Sequence, residues 1–335
     1  MTKRVLIVSN SFDLHADLVI PYLNDYHTKP FRIDLDCFPR DYQIMQLFSH
    51  GKLTGSITHL PSGQRLNLDE IGAIWLRKPA DYAFISNDLA PQELAYAKLE
   101  TEHALFGLLY PLDCYWMSHP IQLRGAMWKA EQLHRATKFG FNVPGSLVTN
   151  CAQQVRVFKQ QVPGEIIFKP LSSSSLAADA VAESERIAEG IPTTIIDDAM
   201  MNNLEAVNEL PCHFQEYIDK QYELRVTVIA GETFAAKIHS QDDVRTAVDS
   251  RDISANIIYE ATQLPADIAR RCREFVSSYG LNFSALDLIV TPQDEYVFLE
   301  NNPNGQFLYV EQLIPEFQLV KAVAATLAAE AQCRS

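Results

Sequence analysis

Asp287, Glu300 and Asn302 carry the most legible chemistry in this chain. Glu300 and Asn302 lie two residues apart in Glu300-Asn301-Asn302-Pro303-Asn304-Gly305-Gln306, directly after the apolar stretch Tyr296–Leu299. An extended chain turns alternate side chains the same way, so both point to one side. Asp287 stands thirteen residues before Glu300, in a second apolar stretch, Phe283–Val290. If the two stretches pair as strands, the three side chains meet as hard oxygen donors. No His or Cys flanks them, so the set suits Mg²⁺ or Mn²⁺ and suits zinc poorly. Mg²⁺ held by so few protein ligands usually bridges nucleotide phosphates as well, which points to an enzyme that uses ATP. The competing reading is a hairpin that merely ends in acidic residues.

Other residues extend the ATP reading. Lys169 ends the strand Glu165–Lys169, and a lysine at a strand end offers a fixed point charge to a phosphate. Ser173 and Ser174 sit in the serine run behind it, where small residues expose N–H and hydroxyl groups to phosphate oxygens. The Walker A spacing is absent, and alone this stretch reads as a surface serine loop. Glu216-Tyr217-Ile218 has the form of an extended hinge that presents its backbone to an adenine edge. Glu223, seven residues beyond Glu216, is placed for ribose hydroxyls. Arg225, Lys237 and Arg251 are cations on or beside the strands that lead to the metal end. Each alone reads as a surface ion-pair partner; together, ahead of Asp…Glu-x-Asn, they read as phosphate cations.

The elements that must position these residues follow from periodicity. Val5–Ser9, Leu14–Tyr26 and Pro30–Asp34 read as strand, helix, strand, with Ala73–Leu76 as a further strand: a βαβ-type α/β domain over residues 1–120. Pro91 opens a long helix. Residues 121–212 read as a small α+β lobe: a helix over Gly125–Phe139, one over Ala152–Gln160, the strand ending at Lys169 and a helix over Met200–Val207. Residues 213–335 read as a strand-rich lobe holding the metal residues, interrupted by a helix at Pro265–Tyr279 and closed by one from Ile314. No GxGxxG follows the first strand, so no dinucleotide site is expected there.

Bulk properties set limits. With 335 residues, 47% hydrophobic and 21% charged, the chain is long and apolar enough for two or three ordinary globular domains. A net charge of −14 disfavours broad nucleic-acid binding. No apolar run reaches the roughly 18 residues of a membrane helix, and Met1–Ser9 reads as a first strand rather than an export signal. The six cysteines show no CxxC spacing, which fits a reducing cytoplasm better than a disulfide scaffold or a zinc site.

The order of parts over about residues 121–325 resembles the ATP-grasp superfamily. Phe31-Arg32-Ile33-Asp34-Leu35-Asp36-Cys37-Phe38-Pro39, Ile74-Trp75-Leu76-Arg77-Lys78-Pro79 and Asn302–Phe307 narrow the likeness to the microviridin-type ligases. Those enzymes cyclise ribosomally made peptides, the graspetides, through side-chain esters or amides. Two departures stand out: Trp75-Leu76-Arg77-Lys78 replaces the commoner Trp-x-Arg-Arg, and the phosphate loop is rich in serine instead of glycine. The resemblance implies an ATP-grasp fold behind an α/β pre-ATP-grasp domain. It implies ATP and two Mg²⁺ ions, with Mn²⁺ able to substitute, and a precursor peptide of leader plus core as partner. Lys129 and Lys169 would hold the α- and β-phosphates, with Ser173, Ser174, Glu216, Tyr217, Ile218 and Glu223 completing the nucleotide site. Arg225 and Arg251 would stabilise the transferring phosphoryl group, Lys237 would share in that role, and Asp287, Glu300 and Asn302 would hold the metal. The superfamily also suggests a homodimer.

Arg77 and Lys78 follow a strand of the first domain, where open α/β sheets place ligand contacts, and are candidates for a substrate carboxylate. His213 and His239 read as ordinary strand histidines, Trp75 and Trp116 as packing residues, Cys212 as a small buried residue, and Asp197-Asp198 as a helix cap. Two further readings remain. One is a ligase of the RimK or glutathione-synthetase kind that adds an amino acid to a peptide. The other is a peptide- or nucleotide-binding regulator on a decayed ATP-grasp fold.

Overall fold

The computed structural model describes residues 3–78, 80–172, 190–251 and 254–333. The chain divides into two compact units. The first holds residues 1–122, 280–283 and 318–335; the second holds 123–279 and 284–317.

The first unit starts with β1 (Arg4–Ser9), α1 (Leu14–Asp25) and β2 (Pro30–Asp34). A three-stranded meander follows, β3 (Tyr42–Ser49), β4 (Lys52–His59) and β5 (Gln64–Asn67), then β6 (Ile71–Leu76), α2 (Pro91–Leu109) and β7 (Tyr115–Trp116). β2, β1, β6 and β7 form a parallel sheet in that order, with Leu6 opposite Phe31 on one side and Ile74 on the other. β1 and β6 are apolar and buried almost throughout, as strands covered on both faces must be. Asp13 caps α1 by accepting the His15 N–H at 3.2 Å.

Two features of this unit were not foreseen. The β3–β5 meander sends essentially one cross-strand column inward, Ile44–Ile57–Leu66. Most of β3 is exposed, so no run of alternation marks it. The terminal helix, Leu319–Cys333, packs with this unit and not with the strand-rich lobe that precedes it in sequence. Gly72 on β6 makes room: a Cβ there would lie 2.6 Å from the Ala331 carbonyl oxygen. Gln332 Nε2 donates to the Tyr26 carbonyl at 3.1 Å and to Thr28 Oγ1 at 2.9 Å. The expected 213–335 lobe therefore gives up its last helix, which needs the apolar backs of α1 and β6.

Beyond β1 and β6 lies a buried polar cluster. Asp13 accepts from Ser9 Oγ at 2.5 Å and pairs with His15 Nδ1 at 3.2 Å and Arg77 Nε at 3.3 Å. Burial acts to raise the Asp13 pKa, but His15, Arg77 and Ser9 overcome it and hold the carboxyl well below its usual range. Burial, then Arg77, lowers the His15 pKa, and Asp13 offsets this only in part. Both groups take up protons more readily in the unfolded chain. The His15 contribution to stability is therefore complete above pH 6.5 and declines as pH falls below it; the Asp13 contribution declines below pH 3.8. Melting temperature should hold steady above neutrality and fall progressively below pH 6.5. His15→Gln should remove part of that fall, the rest coming from His213, whose pKa burial also lowers; a variant profile that falls as steeply as the parent's would contradict this.

The second unit starts at α3 (Pro120–Gly125), whose end it shares, and α4 (Lys129–Lys138). The helix expected over Gly125–Phe139 starts instead at Lys129, with Trp128 at its N-cap, and a separate short helix ends at Gly125. Next come β8 (Ser146–Thr149), α5 (Ala152–Gln161), β9 (Ile166–Lys169), β10 (Thr194–Ile195), α6 (Asp198–Asn202) and β11 (Cys212–Glu216). Asp197 caps α6 by accepting the Met200 N–H at 2.8 Å. A sheet in the order β10-β9-β11-β8 packs Ile166 and Phe214 against Val155, Leu204 and Val207. The larger sheet contains β12 (Tyr222–Ile229), β13 (Glu232–Ile238), β14 (Tyr259–Thr262), β15 (Phe283–Val290) and β16 (Tyr296–Asn302), in the order β14-β13-β12-β15-β16. α7 (Ala266–Ser277) lies between β14 and β15 in sequence, and α8 (Leu308–Leu313) follows β16. Phe275 of α7 packs on Phe141 and Phe298, fixing β16 from behind.

Candidate active site

β15 and β16 pair antiparallel with Asp287 opposite Glu300 and Ala285 opposite Asn302, and the register shifts just after Asp287. Three oxygen-bearing side chains therefore meet. Asn302 Nδ2 donates to Asp287 Oδ2 at 2.9 Å and to Glu300 Oε1 at 3.3 Å. Arg225 on β12 donates from Nη1 to both Asp287 oxygens, at 2.8 and 3.0 Å, and from Nη2 to the Gln306 carbonyl at 3.3 Å. On the far side, Lys129 Nζ lies 3.3 Å from Glu300 Oε2 and donates to the Pro170 carbonyl at 2.9 Å.

The two carboxylates differ in electrostatic state. Burial, with Glu300 next to it, pushes Asp287 above its ordinary range although Arg225 opposes the shift. Burial also acts to raise Glu300, but Lys169 and Lys129 outweigh it and hold Glu300 below the usual range. Burial lowers Lys169, and Glu300 draws it back in part. Arg225 is held firmly charged: burial opposes its charge, and Asp287 overcomes that. Among the described residues no three His, Cys, Asp or Glu side chains group as a metal set. The donor set here is two carboxylates and a carboxamide, all oxygen. That fits a hard divalent cation.

Of the other expected nucleotide residues, Glu216 ends β11. Its carboxylate accepts the Gly145 N–H at 3.1 Å. The Tyr217 N–H donates to the Glu165 carbonyl at 2.9 Å, and Ile218 follows in the link to β12. Glu223 on β12 is held at both oxygens, by Lys220 Nζ at 2.5 Å and Ser250 Oγ at 2.9 Å. Arg251 pairs with Asp249 at 2.7 Å through Nε, and its charge is felt together with those of Glu300 and Asp287. Ser173 and Ser174 lie outside the described residues.

Two expectations are corrected. Lys237 sits opposite Leu224, while Arg225 sits opposite Ala236, so the strand period of two puts Lys237 on the other face of the sheet. There it stacks over Tyr222, 4.4 Å from the ring centre, and pairs with Glu260 at 3.3 Å. Arg77 is fully enclosed (0% exposed), committed to Asp13 and packed over Trp75, so it offers no face to a substrate carboxylate. Lys78 is half-buried, and its carbonyl accepts from Asn10 Nδ2 at 3.3 Å.

Sequence reading missed two positioning residues. Gln132, one helical turn after Lys129, is buried and clamps the Asn301 backbone by accepting its N–H and donating to its carbonyl, both at 2.9 Å. It fixes α4, and so Lys129, against the strand carrying Glu300. Its three-residue spacing from Lys129 was the available signal. Lys220 also donates to the Val248 carbonyl at 3.2 Å, which ties the Glu223 carboxylate to the segment leading to Arg251; its three-residue spacing from Glu223 gave no comparable hint in a loop.

Gly305 is part of the same packing. A Cβ there would stand 2.8 Å from Arg225 Nη2, 3.0 Å from the Ala285 Cβ and 3.2 Å from the Asn302 Cβ. Arg225 is bonded on both sides and has little room to yield. Gly305→Ala should therefore cost about 1–2 kcal/mol of stability as an overpacking change. It should also slow turnover about tenfold or more by displacing Arg225 or Asn302. Thermal melting and ADP release report the two effects, and an unchanged rate would show that this packing does not set the geometry.

The site and fold together define an ATP-grasp ligase. Residues 131–296 match the family model for the prokaryotic glutathione synthetase ATP-grasp domain, and residues 4–124 match that for the MvdD pre-ATP grasp domain. The macrocyclase MdnC of Microcystis aeruginosa MRC, solved bound with precursor peptide MdnA, is 30% identical over 97% of this chain and 99% of that one, with a TM-score of 0.83. A Chryseobacterium gregarium RiPP-associated ATP-grasp ligase, solved with ADP and a leader and core peptide, is 27% identical over 98% and 97%, with a TM-score of 0.86. Macrocyclase MdnB of Microcystis aeruginosa MRC is 28% identical over 97% and 99%, with a TM-score of 0.78. No match was found among curated proteins. The chain belongs to the microviridin-type ATP-grasp ligases, the graspetide synthetases.

Proposed function

We propose that this enzyme uses ATP to activate Asp or Glu side chains of a ribosomal precursor peptide and closes them onto other side chains of the same peptide as esters or amides. The observation that carries this reading is the Asp287–Glu300–Asn302 cluster, met by Arg225 on one side and Lys129 on the other. The MvdD-type first domain and the peptide-bound state of MdnC and the Chryseobacterium ligase favour a peptide over a free amino acid as acceptor.

A carboxylate is a poor acyl donor because its leaving group would be an oxide. Transfer of the γ-phosphoryl group to one carboxylate oxygen releases ADP and leaves an acyl phosphate. A peptide hydroxyl or amine then attacks the carbonyl carbon, and phosphate departs with that oxygen. The peptide loses one water per bond, and ATP becomes ADP and phosphate. Negative charge gathers on the phosphoryl oxygens, so cations fixed in advance lower the barrier. We assign Lys129 and Lys169 to the α- and β-phosphates, and Arg225 and Arg251 to the transferring group. The Glu216–Ile218 hinge is assigned to adenine and Glu223 to ribose. Asp287, Glu300 and Asn302 would hold Mg²⁺, which when bound spreads charge across the phosphates. Two ions, with Mn²⁺ as substitute, suit a site with two carboxylates and a triphosphate. Lys78 is the remaining candidate of its pair for a peptide carboxylate. Exposed Met45, Leu47 and Phe48 on the edge strand β3 support a homodimer. Free cysteines support a cytoplasmic setting, and among the described residues no helix is long and apolar enough to cross a membrane.

Hydroxylamine tests the acyl phosphate directly. With precursor peptide, Mg²⁺ and ATP, it should divert cyclisation into hydroxamates at Asp or Glu side chains. Rapid ADP release with neither hydroxamate nor ring formation would mean that the acceptor is not this peptide.

A further inference from the structure

β11 carries a histidine for which the chemistry above has no use. His213 is 2% exposed, and neither ring nitrogen has a hydrogen-bond partner among the described residues. A buried polar group left unpaired costs free energy that an apolar side chain of similar shape would not. Its place in the sheet is specific. The cross-strand neighbour of His213 is Lys169 on β9, and directly opposed side chains share a face. Gln215, two residues on, shares that face as well, with its Oε1 3.5 Å from Lys169 Nζ.

Burial and the nearby charges of Lys169 and Lys129 push the His213 pKa down to about 4, against a weaker pull from Glu300. The ring is therefore neutral at physiological pH and carries one N–H donor and one acceptor nitrogen. The face that presents the Lys169 ammonium thus also presents an unpaired neutral donor. An anionic oxygen between them would answer both.

We propose that His213 is a nucleotide-binding residue, donating one ring N–H to a phosphate oxygen of bound ATP beside Lys169. This rests on the reading that ATP occupies this end of the unit, and adds a contact to it. A neutral donor recognises the phosphate without placing a third full charge beside Lys129 and Lys169, whose charges already repel each other. The unpaired ring is then a local cost to the free protein, repaid on binding. A histidine present only for packing has no reason to respond to nucleotide.

The test uses the full chain without peptide, titrated calorimetrically with Mg²⁺ and a non-hydrolysable ATP analogue. His213→Leu should raise the melting temperature of the free protein and weaken nucleotide binding about tenfold or more, the range for a hydrogen bond to a charged group. His213→Gln, which keeps an N–H donor, should recover part of the affinity. In the unaltered protein labelled at histidine, the His213 ring signals should shift on adding nucleotide, which keeps the proposal decidable if the leucine variant fails to fold. Leucine-variant binding within about twofold of the parent, or ring signals unmoved by nucleotide, overturns the proposal (a twofold change being about 0.4 kcal/mol, below any such hydrogen bond). Loss of cyclisation on any peptide with these nucleotide effects intact would sink the proposed function and leave His213 in place; the converse result would do the reverse.

Discussion

Glu300→Gln should lower peptide-dependent ADP release by at least about 10²–10³-fold, the scale for removing one preorganised electrostatic group at a transferring centre. The change keeps the shape of the side chain and removes only its charge. Glu300 is the one carboxylate of the pair that two lysines hold ionised, with Lys129 Nζ 3.3 Å away. Without that charge, Asp287 and the Asn302 carboxamide remain, and Asp287 is already engaged by Arg225. Half-maximal activity should then require more Mg²⁺, and saturating Mg²⁺ should not restore the parent rate. The fold should survive, because Asn302 and Lys129 can both bond to an amide oxygen. A rate within about tenfold of the parent (about 1.4 kcal/mol, less than a metal ligand supplies) would remove Glu300 from the metal set.

Arg225→Met should both destabilise and inactivate the enzyme. The guanidinium is enclosed, donates to both Asp287 oxygens and braces the Gln306 carbonyl. Its removal leaves Asp287 facing Glu300 with no cation in contact. Breaking such a pair costs about 3 kcal/mol even at the low end of the buried range. A bound divalent cation can replace part of the missing charge, so Mg²⁺ should raise the melting temperature of the variant more than that of the parent. Arg225→Lys should recover stability in part and activity little, since one ammonium cannot span Asp287 and Gln306 as the planar fork does. Scanning calorimetry with and without Mg²⁺ checks this. A methionine variant as stable as the parent would show that the pair at 2.8 Å contributes nothing net.

That Asp287, Glu300 and Asn302 come together was legible in the sequence because the logic is local. Glu300 and Asn302 share a face by strand geometry alone, and Asp287 lies in the next apolar segment, so one antiparallel pairing completes the set. The βαβ start was legible for the same reason: Val5–Val8 and Ile74–Leu76 are apolar throughout. Failures came where parity or tertiary closure decides. Lys237 and Arg225 are both strand cations, and only the β12–β13 register shows that they face opposite sides. Arg77 follows a strand as a ligand-contact residue would, but Asp13, from the start of α1, encloses it. Gln132 and Lys220 act by holding other residues; only the helical spacing of Gln132 from Lys129 pointed to one of them, and Lys220, in a loop, had no such signal. The terminal helix is apolar over a broad face, which fixes its burial but not its host.

The most direct measurement is the intact mass of a candidate precursor peptide, with leader and core, after incubation with the enzyme, Mg²⁺ and ATP. The expected result is a loss of one water for each bond formed, with ADP released in step and none lost when Glu300→Gln replaces the parent. Mild alkaline hydrolysis then separates esters from amides. A gain in mass equal to an added amino acid would contradict macrocyclisation and place the enzyme with the ligases that extend peptides.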